Sequence, residues 1–258
     1  MGLVMQYSFR DLQPTNEDEY EDIPTEGFVF GSFDSRKAGW WVVSREAPTP
    51  KENEIVEQVA YKQGVYDFSV LNGERFFDNR EITYKIVMPL SVYHERKIFE
   101  EEIKRQLMTV GISNLVDTHE DGYYWSGKCK SVEVDDDEEK GMLTATVVFD
   151  CYPYAYTNNL EGADIWDDVI FDHWVWQPVK FNVTESMDVT LENIGSRPVI
   201  CHFAVTGKVT VKGPGFDGYE LTEDNADKAT ITMPLGKNKF TLSGSGTIEF
   251  KFRREEMI

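Results

Sequence analysis

Gly213-Pro214-Gly215-Phe216-Asp217-Gly218 has the G-x-G-x-x-G spacing of a loop that lets backbone amides approach a pyrophosphate. That chemistry needs a helix directly after the loop, because helix N-terminal amides and the helix dipole hold the anion. Here Tyr219-Glu220-Leu221-Thr222 resumes strand-like alternation, so the glycines read as a turn between strands. Asp135, Asp136, Asp137, Glu138 and Glu139 offer oxygen ligands of the kind calcium takes. A calcium loop of the EF-hand type wants glycine at its sixth position, where this run has Lys140, and the acids read as a solvated hairpin tip.

Other residues that could do chemistry are scattered. His94, His119, His173 and His202 form no H-E-x-x-H pattern and have no cysteine at metal-ligand spacing. Cys129, Cys151 and Cys201 include no C-x-x-C pair and are expected to be small buried hydrophobes. No G-x-S-x-G elbow is present for a hydrolase serine. Carboxylates are abundant enough that some pair must fall at glycosidase separation by chance, so their presence discriminates nothing. A wall-degrading enzyme has no other motivation. No catalytic, cofactor-binding or metal residue can be named, and the expectation is a protein that is not an enzyme and carries no cofactor. Trp166, Trp174 and Trp176 could stack on a pyranose face, although aromatic residues of a β-sandwich more often fill its core. The sequon at Asn182 carries no glycosylation signal without a secretory context.

The bulk composition narrows the classes further. With 26 basic and 46 acidic residues the formal charge is −20, the wrong sign for gripping a phosphate backbone. The same sign suits a surface that nucleic acid must pass without sticking. Residues 1–22 lack the basic and apolar regions of a secretion signal, and no run reaches the length of a membrane span, which points to a cytosol-like compartment. Residues 11–26 hold seven acids and two prolines with no Lys or Arg, the signature of an exposed arm or loop.

The elements that would position these residues are mostly strands. Phe28-Val29-Phe30, the Gly31-Ser32-Phe33-Asp34 stretch and Trp40-Trp41-Val42-Val43 are β-prone and bounded by breakers. After Pro48 and Pro50, residues 65–70 and 82–87 alternate apolar with polar on either side of the Asn72-Gly73 turn signal. They are expected to be partnered antiparallel strands. One segment is helical, residues 93–110, with Phe99, Ile103, Leu107 and Val110 on one face, Ser91 as cap and Gly111 as stop. Glu100 with Lys104 and Glu101 with Arg105 support its outer face. Residues 123–134 and 142–149 form a hairpin across the acidic run. Residues 158–188 are less regular and mark the passage to a second domain. Beyond Val189 the pattern is purely β, with Val205, Gly207, Val209 and Val211 on one face of a strand and Ile248, Phe250 and Phe252 on one face of another. The fold class read from these patterns is mainly β, all-β with one helix, ending in a β-sandwich.

The order of these pieces resembles the distal tail protein family (Dit) of phages with long non-contractile tails. The residues that carry it are Phe30-Gly31-Ser32-Phe33-Asp34-Ser35, the strand entry Asp78-Asn79-Arg80-Glu81-Ile82, the single helix, and residues 141–156 from Gly141 to Tyr156. In the second half they are residues 189–200, with an Asn193-Ile194-Gly195 turn before a proline-led strand, and the closing hairpin at residues 237–244. The resemblance implies an N-terminal β-sandwich or split-barrel domain with one helix over residues 1–157, joining six copies into a ring. It implies a C-terminal galectin-like β-sandwich over residues 158–258 that projects outward. The ring's bore would continue the tail tube and pass DNA without specific binding. The implied partners are the tail-tube protein, a tail-associated adhesion or tip protein and a receptor-binding or baseplate protein, in a virion assembled in the host bacterial cytoplasm. A carbohydrate-binding module on the second domain is the alternative.

Overall fold

The computed structural model describes residues 24–70, 73–89, 92–162 and 175–258. The N-terminal acidic stretch up to Ile23, together with Asn72, Ser91, Trp166, His173 and Trp174, lies outside the described residues. The chain divides into two compact units, Met1–Pro153 and Tyr154–Ile258.

The first unit contains β1 (Phe28–Phe30), β2 (Phe33–Asp34), β3 (Trp41–Glu46), β4 (Val56–Glu57), β5 (Tyr66–Asp67), β6 (Arg80–Pro89), α1 (Tyr93–Met108), β7 (Ser113–Asp117), β8 (Tyr123–Asp137) and β9 (Met142–Cys151). Its main sheet runs β2-β1-β7-β8-β9-β6-β3. Strict alternation in β6 buries Ile82, Tyr84, Ile86 and Met88, and in β9 it buries Leu143, Ala145, Val147 and Phe149. The register Ile82↔Phe149, Tyr84↔Val147 and Ile86↔Ala145 places these side chains on one face. Phe28 and Phe30 of β1 close over that face, with Phe28 4.5 Å from the Tyr84 ring and Phe30 4.9 Å from Phe149. Gly31 makes the β1–β2 turn at φ +60, where an L side chain would be strained.

α1 ends at Met108 with Thr109 as its C-cap, two residues short of the expected Val110. It packs on β8 and β9 and buries Arg96, Ile103 and Leu107. The expected Glu100–Lys104 pair forms at 2.6 Å, and Lys97 joins the same carboxylate at 2.6 Å.

Two expectations are corrected. Residues 65–70 and 82–87 do not pair with each other. β5 pairs with β4 through Val56↔Asp67 and Glu57↔Tyr66, while β6 sits between β9 and β3. Alternation reports extended chain but not which strand satisfies its amides, and ten-residue β6 already spends both edges on β9 and β3, each longer than two-residue β5. The acidic run is also less of a tip than expected. Asp135, Asp136 and Asp137 are inside the β8–β9 ladder opposite Thr144, Leu143 and Met142. Asp136 turns to α1, where its carboxylate meets buried Arg96 at 2.5 Å.

The second unit contains β10 (Ala155–Thr157), β11 (Lys180–Val183), β12 (Ser186–Asn193), β13 (Val199–Gly213), β14 (Phe216–Thr222), β15 (Thr230–Met233), β16 (Gly236–Lys251) and β17 (Glu255–Glu256). The long strands β13 and β16 pair along most of their length. β12 and β11 flank successive parts of β16, and β15 and β14 flank successive parts of β13. Phe240 and Phe250 of β16 would stand roughly 33 Å apart along a straight strand, yet their rings are 5.2 Å apart. The strand therefore folds back on itself and contributes to both layers of a β-sandwich. The crease is made of glycine: Gly207, Gly244 and Gly246 adopt φ +83, +119 and +153. A Cβ on Gly246 would lie 2.1 Å from the Thr206 carbonyl oxygen, and one on Gly244 2.4 Å from that of Lys208. Val199, Cys201, Phe203, Val209, Val211, Leu221, Leu242, Ile248 and Phe250 join one core between the layers.

Candidate assembly surface

The chemistry-bearing residues are kept apart by this fold. Pro214 and Gly215 make the turn between β13 and β14, so the glycine motif is a hairpin with no helix behind it. Among the described residues no group of three or more His, Cys, Asp and Glu could hold a metal ion. His94 and His202 are exposed and lie in different units. Cys129, Cys151 and Cys201 are free and buried. Burial pushes the thiols of Cys151 and Cys201 up to about 12, and that of Cys129 up to about 11, which leaves them protonated and unreactive at neutral pH. Asn182 is on β11, where its side-chain oxygen accepts a 2.9 Å hydrogen bond from Thr247. Trp176 stands 65% exposed, whereas Trp40 and Trp125 are core residues.

A polar cluster is buried in the first unit. Asp117, at the end of β7, accepts hydrogen bonds from Arg45 Nε at 2.7 Å, from the Tyr84 hydroxyl, and from the backbone amides of Glu120 at 2.8 Å and His119 at 3.2 Å. The Arg45 guanidinium lies 5.3 Å from the centre of the Trp125 ring and that of Arg80 5.8 Å. Burial pushes the Tyr84 phenol well above its ordinary range, and the adjacent Asp117 carboxylate adds to the rise. Burial alone would lower the Arg45 guanidinium, but Asp117 and its neighbours outweigh it and hold the group above its usual value. The side chains of Arg45 and Asp117 are 8% and 1% exposed, so this cluster ties strands together and offers no face to a substrate. Arg80 extends it by donating 2.8 Å to the Ala47 carbonyl, which joins residues 47 and 80 at the two ends of an excursion from the sheet.

That excursion, between β3 and β6, is an arm. Asp78 N donates to Lys51 O at 2.8 Å, Asn53 N to Phe76 O at 2.8 Å and Phe68 N to Ile55 O at 2.8 Å, and the β4–β5 pair continues the ladder outward. Arg75 forks onto the Glu52 carboxylate across the arm. Every residue from 53 to 68 is exposed. Ile55, Val56, Val59, Tyr61, Val65, Tyr66, Phe68, Val70 and Phe76 are between 41% and 109% exposed. A two-stranded ribbon with no core is marginal by itself, and an apolar patch of this size marks an interaction surface. The sequence shows these residues as β-prone and apolar. Their exposure was not legible there, because alternation leaves open which face is covered.

No family model matches the sequence, and no curated protein matches it. Solved structures do. The crystal structure of SPP1 Dit (gp 19.1), described as a paradigm of the hub adsorption apparatus of phages infecting Gram-positive bacteria, superposes with a TM-score of 0.62 at 11% identity. That match covers 90% of this chain and 99% of SPP1 Dit. The chain has a Dit-like fold. A chain of the phage P2 baseplate in its activated conformation also matches, at a TM-score of 0.44 and 9% identity, covering 90% of this chain and 98% of that one. The likeness to Dit read from motif order thus holds at the level of the fold, mainly β with one helix.

Proposed function

We propose that this protein is the distal tail protein of a phage with a long non-contractile tail, a structural hub whose copies close into a six-fold ring between tail tube and adhesion device. In this reading the first unit forms the ring, the bore continues the DNA channel, and the galectin-like second unit faces outward to receptor-binding or baseplate proteins. The observation that carries the reading is the near end-to-end likeness to SPP1 Dit. The exposed apolar arm supports it independently, since a monomer gains nothing from so much uncovered apolar surface. A formal charge of −20 per copy suits a passage that DNA must slide through without adhering.

Light scattering coupled to size exclusion tests the reading, with an expected mass of about six times 29.7 kDa. A protein that stays strictly monomeric at high concentration, with its tail partners added, would sink it. A second reading, a carbohydrate-binding surface on the second unit, rests on the 65% exposed Trp176. Calorimetric silence against host wall saccharides would remove it.

A further inference from the structure

The second unit keeps one long strand edge open. Among the described residues β12 pairs on one side only, with β16, in an unbroken register of 8 residues from Ser186↔Ser243 to Asn193↔Gly236. Alternate residues of an antiparallel strand turn their N–H and C=O to opposite sides. Glu185 O accepts from Gly244 N of β16 at 2.9 Å, so Ser186, Asp188, Thr190 and Glu192 turn theirs away from β16. The rung at Glu192 is filled by a side chain: its N–H donates to Gln177 Oε1 at 2.7 Å and its carbonyl accepts from Gln177 Nε2 at 2.8 Å, as a neighbouring peptide group would. Ser186, Asp188 and Thr190 are exposed. The other edge of the same layer is closed to a further strand. The β13–β14 register breaks between Val211 and Gly213, Gly218 holds φ +137, and the Asn225 side chain takes Thr222 N at 2.7 Å and Glu220 O at 3.0 Å. Natural sheets blunt their edges with bulges, proline or lysine, and β12 has none of the three.

We infer that the β12 edge takes an extended basic segment of a partner protein as an added strand; the partner's identity rests on the reading above, in which the second unit faces receptor-binding or baseplate proteins. Main-chain hydrogen bonds at the open rungs supply affinity in such an addition, and the flanking side chains supply selectivity. Asp188 and Glu192 flank Thr190 on the solvent face. Asp188 accepts a 2.8 Å hydrogen bond from the Thr241 hydroxyl, and among the described residues neither carboxylate has a cation at ion-pair distance. A second copy of β12 laid antiparallel about Thr190 sets Asp188 against Glu192 twice, and like charges directly opposite one another destabilise a sheet. Charge thus selects against self-pairing and in favour of a strand that brings lysine or arginine to both carboxylates.

Fluorescence anisotropy with the full chain tests the site, the probes being a labelled, end-capped peptide of alternating lysine and valine and its glutamate–valine counterpart. The lysine peptide is expected to bind, and the glutamate peptide to bind at least tenfold more weakly. Thr190→Pro removes an outward N–H and leaves the β16 ladder intact, a position where an edge strand tolerates proline. It is expected to weaken the lysine peptide at least tenfold with an unchanged circular dichroism spectrum. A peptide-side control holds even where that variant fails to fold. The lysine peptide is N-methylated either at its lysines or at its valines, and one pattern is expected to lose binding at least tenfold while the other keeps it, because only alternate amides of an added strand face β12. Asp188→Lys combined with Glu192→Lys is expected to reverse the preference between the two peptides. A lysine peptide that does not bind, or that binds equally well in both methylated forms, as charge attraction alone would have it, overturns the strand docking. Light scattering on the same samples separates this outcome from the hub reading. A six-copy mass without peptide binding overturns the strand docking alone, and a monomer that binds the peptide overturns the ring and leaves the β12 site standing.

Discussion

Asp117 concentrates more of the first unit's polar interactions than any single strand alternation would suggest. Its carboxylate neutralises Arg45, accepts the Tyr84 hydroxyl and caps the turn at His119 and Glu120, all with 1% of the side chain exposed. Asp117→Ala leaves the Arg45 guanidinium buried without its main counter-charge and is expected to cost about 3–5 kcal/mol in urea unfolding. A loss below about 1 kcal/mol would mean that water reaches Arg45 readily. None of this was legible in the sequence, where a charged residue reads as surface unless its partner, 72 positions away in the case of Arg45, is known. The same blindness hid Arg96, on the buried side of a helix whose apolar face alone was read. The cysteines were legible because a small apolar residue needs no partner to be buried. Their folded-state values of about 11 and about 12 exceed the ordinary thiol value of 9.0, so the folded chain retains protons that the unfolded chain releases. Their contribution to stability is complete below pH 9.0 and is lost as pH rises toward about 12. Native protein at pH 8 is therefore expected to resist iodoacetamide at all three positions and to take up three equivalents once unfolded. Rapid labelling of the native protein would contradict that burial.

At the scale of elements, β16 shows what an alternation pattern can and cannot specify. Phe240, Leu242, Ile248 and Phe250 keep one parity through the crease, and residues 237–244, expected to be a closing hairpin, are instead one strand with the expected Ile248, Phe250 and Phe252 face. The fold-back that brings Phe240 to Phe250 leaves no trace in that parity. Its trace is the glycine set, whose need becomes visible only when β13 lies opposite. Gly246→Ala combines a backbone conformation foreign to L residues with a Cβ 2.1 Å from the Thr206 oxygen, and is expected to cost at least ~3 kcal/mol or to prevent folding. Gly215→Ala, at φ +81 in a hairpin turn with open space around its Cβ, isolates the conformational part and is expected to cost about 1 kcal/mol. Equal effects in thermal melts would show that the crease relaxes freely. β5 illustrates the opposite limit. Its residues were correctly read as extended, but its partner is β4, because short-range alternation carries no record of pairing.

For the whole molecule, apolar attraction and like-charge repulsion make opposite demands on a ring. The arm offers uncovered apolar surface, while each copy brings a formal charge of −20 to its neighbours. Coulomb repulsion between exposed acids reaches ~10 Å at 0.1 M salt and ~3 Å at 1 M. Apolar burial is not weakened by sodium chloride in that range. If the apolar arm holds the ring and the acids oppose it, salt strengthens assembly, and the dissociation constant from sedimentation velocity is expected to fall about tenfold between roughly 0.05 M and 0.5 M sodium chloride. A ring held by surface ion pairs behaves in the opposite way, since those pairs are the first interactions that salt screens. The sign of the slope therefore discriminates between the two sources of cohesion without any mutation, and a ring that loosens as salt rises would rule out the arm as its principal contact.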